Sequence, residues 1–149
     1  MKLRYMPCQI VARLIRALSL GTDPTLAGDW SVFVSQSAPE PINQISVFDT
    51  TPVQYGRTGP DSEVQLTYGI QIKVRGKDVS EAFTRVNDIA FALASVHNTI
   101  ISIDAEYPVT VHAVTRQNGP LPIGTEQPEG VYSLFTLNVL VTLTQDEEL

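Results

Sequence analysis

Residues 64–74 read VQLTYGIQIKV, and in this run Val64, Leu66, Tyr68, Ile70, Ile72 and Val74 fall on one side of an extended chain. Gln65, Thr67, Gln71 and Lys73 fall on the other. Alternation of this kind predicts a strand with one buried face and one face left to water or a partner. At ~3.4 Å per residue the run extends on the order of 37 Å, about twice a usual strand. A strand that long is expected to project beyond its own sheet.

Working outward, Asp78 stands at an N-cap position with Glu81 three residues on, a pattern resembling a capping box. The helix it opens carries Val79, Ala82, Phe83, Val86, Ile89, Ala90, Leu93 and Val96 as one wide apolar stripe, with Phe83 expected on the inner side. Upstream, Ile10, Val11, Leu14, Ile15 and Leu18 mark an amphipathic helix over Pro7 to Leu20. Pro7 suits its first turn and Gly21 the left-handed position past its end. Short strands are predicted at Trp30 to Val34 and Gln44 to Asp49, parted by QSAPEPIN, whose prolines mark a loop.

Downstream, IISID is a short extended run and Val109 to Thr115 a strand, followed by QNGPLPIGTEQPEG, read as a long functional or mobile loop. The closing run VYSLFTLNVLVTL places Val131, Ser133, Phe135, Leu137, Val139, Val141 and Leu143 on one face. The order of elements predicts a single α+β domain over residues 1–149: a mainly antiparallel β-sheet with two α-helices packed on one face.

A chain of 149 residues is one ordinary domain. Its net charge of −6 repels phosphate backbones and disfavours sequence-specific DNA binding. No apolar run reaches the ~20 residues of a membrane helix, and Arg13 and Arg16 interrupt the N-terminal run that would otherwise resemble a signal peptide. The expectation is a soluble, unexported chain, and the lone Cys8 fits a reducing compartment.

Phosphate-binding loops, HExxH, CxxC pairs and GxSxG elbows are absent from the sequence. His97 and His112 could meet Asp104 or Glu106 at a metal, but their spacing is that of ordinary helix-end and strand histidines. Cys8 reads as a small core residue rather than a nucleophile. No metal, cofactor or catalytic residue is expected. The segment FDTTPVQYGRTGPDSE, residues 48–63, is the polar exception. Asp49, Tyr55, Arg57 and Asp61 could serve as acid, base and anion clamp, yet no nucleophile and base share a fixed spacing. A hairpin needs only two to five residues, so the surplus length favours a docking loop. Thr50, Thr51, Tyr55, Arg57 and Asp61 are its candidate contacts, with Tyr55 an aromatic anchor and Arg57 a planar fork for a carboxylate.

Taken together, ALSLGTDPTLAGDWSVFVSQ, VFDTTPVQYGRTGPDSEVQLTYGIQIKVRG and SLFTLNVLVTL resemble the small minor capsid or tail-terminator proteins of long-tailed bacteriophages over almost the whole chain. The resemblance implies a structural virion protein, not an enzyme. It implies a homo-oligomeric ring, six copies in such proteins, that caps the tail tube protein and presents a surface to the head–tail connector. It also implies assembly in the host cytoplasm, with DNA only passing through the channel. A neck or head–tail adaptor ring is the nearest alternative, and a small enzyme the more distant one. Six copies would carry about −36, so carboxylates are expected along the channel, with Asp61, Glu63, Asp146, Glu147 and Glu148 as candidates.

Overall fold

The alternating run is the centre of a mixed sheet in the computed structural model, which describes residues 3–26, 28–50, 53–57, 64–103, 108–126 and 132–145. Helix α1 (Pro7–Ala17) precedes β1 (Ser31–Val34), β2 (Gln44–Asp49), β3 (Val53–Arg57) and β4 (Val64–Gly76). Helix α2 (Val79–Ala94) then leads to β5 (His97–Ile101), β6 (Val109–Glu126) and β7 (Tyr132–Gln145). Across the sheet the order is β1-β2-β4-β7-β6-β5, with β3 also paired to β4. Only the β1–β2 pair is parallel; the other pairs among the described residues are antiparallel. The chain is therefore α+β, with a mainly antiparallel sheet and two helices on one face.

Strand β4 pairs with β7 in unbroken register from Leu66↔Leu143 to Gly76↔Ser133. Its length is thus absorbed inside the sheet, and the expected projection toward a partner is not found. Along its other edge β2 covers Ile70 to Arg75, while β3 covers Val64 to Thr67. The register sets the core: Ile70, Ile72 and Val74 lie beside Val139, Leu137 and Phe135, and all six are buried. Ile45 and Val47 of β2 join them opposite Val74 and Ile72.

Both helices close over this face. Pro7 occupies the first turn of α1, which buries Ile10, Val11, Leu14 and Ile15 and carries Arg13 outward. The helix ends three residues earlier than expected, and the left-handed residue is Ser19, at φ 61°, not Gly21. Ser19 N–H bonds Arg16 O at 3.0 Å and Leu20 N–H bonds Ile15 O at 3.2 Å, the paired bonds of a Schellman cap. Gly21 has a different constraint: a Cβ there would collide with Val32 Cγ2 and come within 3.0 Å of Trp30 O. Asp78 caps α2 as the sequence indicates, its Oδ1 accepting from Ser80 N–H at 2.7 Å. Gly76 lets α2 approach, since a Cβ there would sit 2.7 Å from Ala82 Cβ.

Two further sequence expectations are corrected. The Pro/Gly run after Thr115 is strand through Glu126, paired to β7 as far as Glu126↔Tyr132 with register shifts along the way. Strand β5 pairs with β6 only from Val109 to Ala113, so among the described residues Pro120 and Pro122 stand on an open edge and at bulges, where a missing N–H breaks no inner ladder. On α2, burial falls on Ala82, Val86, Ile89, Ala90 and Leu93, while Val79 and Phe83 emerge at the surface. Ile89→Ala is accordingly expected to cost about 2–5 kcal/mol, and Phe83→Ala only about 1 kcal/mol. Denaturant melts of the two variants check this, and equal losses would refute the burial assignment.

Candidate interaction surface

On the face away from the helices, the polar residues of β4 and β7 form their own ladder. Thr67 and Thr142 hydroxyls lie 3.2 Å apart, Gln71 Nε2 donates to Thr136 Oγ1 at 3.2 Å, and Asn138 Nδ2 donates to Asn118 Oδ1 at 2.6 Å. One end of this face is roofed by the loop between β1 and β2. Arg75, only 6% exposed, donates from Nε to Ile42 O at 3.0 Å. Its Nη2 donates to Ala38 O, Pro39 O and Pro41 O at 2.8, 3.0 and 3.1 Å. Gln44, opposite Arg75 in register, holds the same loop through Ala38 and Pro41. A proline-rich segment cannot satisfy its carbonyls in a ladder, and a buried guanidinium with five donors does so instead.

The expected docking loop is arranged differently from a free excursion. Thr50 is exposed and its N–H bonds Gly69 O at 2.9 Å, continuing the β2–β4 pairing. Tyr55 and Arg57 lie on β3, with Arg57 opposite Val64, so the middle of the stretch is a paired strand rather than a loop. Thr51, Asp61, Glu63, Asp146, Glu147 and Glu148 lie outside the described residues, as do the side chains of Tyr55 and Arg57. Asp49 is committed to the fold, its Oδ1 accepting from Cys8 N–H at 2.9 Å in the first turn of α1.

Of the other groups weighed for chemistry, Cys8 is fully buried, and burial pushes its thiol up to about 11, leaving little thiolate near neutral pH. His112 bonds Thr144 Oγ1 at 2.7 Å and Asn98 Oδ1 at 3.0 Å, and Asn98 Nδ2 reaches His97 Nε2 at 3.2 Å. Asp104 and Glu106 lie outside the described residues. Among the described residues no three His, Cys, Asp or Glu side chains gather at a metal-binding spacing. No described helix is long and apolar enough to cross a membrane.

The surface that stands out is the outer side of α2. Val79 is 58% exposed and Phe83 49%, and the Phe83 ring lies 5.8 Å from that of Phe135. With Ser80 and Thr84 they line a shallow groove of about 540 Å³. Ser80 and Thr84 also border a second cleft, about 430 Å³, walled by Asp29, Trp30, Glu81, Arg85 and Asp88. The Arg85 guanidinium lies 4.8 Å from the Trp30 ring centre and its Nη1 donates to Leu20 O at 3.1 Å. An apolar groove thus adjoins a charged cleft that holds three carboxylates and one guanidinium. Sequence reasoning placed Val79 and Phe83 in the core; for Phe83 the available signal was the width of the stripe, roughly 140° at 100° per residue, with Phe83 at its margin, whereas Val79 lies at a buried angle but in the exposed first turn of α2.

Compared with known proteins, the chain matches no family model and no curated protein.

The Arg75 clamp gives a direct test of how the roof is held. Arg75→Met is expected to cost about 2–4 kcal/mol, because charge-assisted bonds are lost and buried carbonyls are left without a donor. Arg75→Lys should recover only part of this, since an ammonium cannot reproduce the planar fork. Thermal melts with hydrogen exchange over residues 37–43 check the pair, and a Met variant as stable as the parent would contradict the clamp.

Proposed function

We propose that this chain is a structural subunit of the head–tail junction of a long-tailed bacteriophage, a tail-terminator-like protein whose copies close into a ring. Its partners in this reading are further copies of itself, the tail tube on one side and the head connector on the other, with DNA passing through the lumen. It acts by binding and not by catalysis.

The observation that carries the reading is the distribution of apolar side chains. The core is filled and continuous under one sheet face, yet Val79 and Phe83 remain exposed together beside a groove on α2. Single exposed apolar residues are ordinary; clustered ones beside a groove are typical of surfaces that a partner covers. The phage assignment itself rests on the resemblance of the three sequence stretches, and the α+β frame is compatible with it.

Size-exclusion chromatography with mass measurement of the purified protein, taken to high micromolar concentration, is expected to give one discrete species of several copies, six by the resemblance. A closed ring is the outcome of a head-to-tail contact whose rotation closes. A monomer or simple dimer at every concentration would refute the reading.

A further inference from the structure

On the sheet face away from the helices, a chain of side-chain hydrogen bonds crosses three strands. Thr144 Oγ1 of β7 lies 2.7 Å from His112 Nε2 of β6, His112 Nδ1 lies 3.0 Å from Asn98 Oδ1 of β5, and Asn98 Nδ2 lies 3.2 Å from His97 Nε2. We propose that this chain is a proton-operated latch on the edge strand β5, closed while at least one of the two imidazoles is neutral and open when both are charged. The latch is independent of the reading of the chain as a ring subunit.

Its logic lies in the amide. Asn98 presents one accepting oxygen and one donating nitrogen, so it joins two rings only if one ring donates and the other accepts. With both rings neutral, His112 Nδ1–H donates to Asn98 Oδ1 and Asn98 Nδ2 donates to His97 Nε2. A first proton on His112 breaks nothing, because its Nε2–H then donates to Thr144 Oγ1, and a hydroxyl accepts as well as donates. A first proton on His97 is met by turning the amide over, so that His97 donates to the oxygen and His112 accepts from the nitrogen. A second proton has no such remedy. Both rings then only donate, and whichever way the amide is turned, one ring N–H faces its NH2 group.

Placement gives the latch its effect. Among the described residues β5 is the last strand on its side of the sheet, pairs only with β6 and buries only Ile101. The backbone register runs from His97↔Ala113 to Thr99↔Val111 and omits the pair between them, Asn98 and His112, where Asn98 is left-handed at φ 46°. Asparagine takes that conformation when its short side chain is bonded locally. The side chains thus supply the link at the rung the backbone leaves out. Other titratable groups stand away from it: β6 has none besides His112 from Val109 to Thr115, β7 has none from Val139 to Thr144, and no charged residue lies between Asp88 of α2 and His97. Helix α1, which also packs on β5, holds Cys8, Arg13 and Arg16 on the other side of the sheet, with Arg16 paired to Asp23. Asp104 and Asp146, the next charges along the chain, lie outside the described residues. The sign follows directly: the bridge is complete above the imidazole range and is lost as pH falls through it, from about pH 8 to about pH 5.

Hydrogen exchange of the full chain followed by NMR, with each rate corrected for its intrinsic pH dependence, tests the latch at those two pH values. Protection of the β5 amides is expected to fall by about three- to tenfold at the lower pH, the weight of one net hydrogen bond. Protection of Ile70 and Ile72, inside the β4–β7 pairing, should stay constant. His97→Gln, whose side-chain oxygen accepts from Asn98 and never charges, should hold β5 equally at both pH values. Asn98→Gly, which keeps the left-handed backbone accessible and removes the bridge, should show lowered protection at both. Parental protection of β5 that does not change with pH, a loss in His97→Gln equal to the parent's, or an Asn98→Gly variant that retains the parental response would each overturn the proposal.

Discussion

Everything in this fold hangs on β4. A single strand pairs with β7 along one edge and with β2 and β3 in succession along the other, so its alternation is imposed on its neighbours. Residues Ile70, Ile72 and Val74 fix which face of β7 and β2 must be apolar, and a slip of one residue would turn all of them outward. The helices follow from the same constraint, because a continuous apolar face must be covered and Gly76 permits α2 to settle directly on it.

The opposite face shows how polar groups are managed once that choice is made. Threonine, asparagine and glutamine side chains bond one another across β4, β7 and β6, and Arg75 with Gln44 fastens the proline loop over one end. Core and polar face are thus largely self-satisfied. What remains exposed among the described residues are apolar side chains outside the core: Val79, Phe83 and Phe91 on α2, Leu121 and Ile123 on β6, and Leu26 and Ile100 elsewhere. That division, a filled interior with apolar side chains left over outside it, is the physical basis for proposing that the protein is a component of an assembly.

The parts of the fold with a strong period were legible in the sequence. Strand β2 has the predicted limits, β4 and α2 begin where their alternation and Asp78 indicate, and the α+β class follows from their order. The remainder was obscured by residues with two uses. Pro and Gly in QNGPLPIG mark turns in an inner strand but are tolerated on an open, bulged edge, which local sequence does not reveal. Ser19 holds the left-handed position because the helix ends at Ala17, while Gly21 is required by close packing against Val32. Phe83 has the chemistry of a core residue and the position of a surface one, since its angle on the helix lies at the margin of the sheet contact. The docking stretch was found as a polar anomaly, but pairing of Val53 to Arg57 with β4 depends on partners distant in sequence. The α2 surface was visible only as a stripe too wide for one contact.

The central claim is that the protein works by assembling, with the apolar side chains left exposed on α2 covered by a neighbouring subunit. Electron cryo-microscopy of the purified assembly tests it most directly. The account predicts a closed, rotationally symmetric ring in which Val79 and Phe83 of each copy are covered by its neighbour. A ring in which those side chains face solvent, or a two-fold dimer joined through another surface, would contradict it.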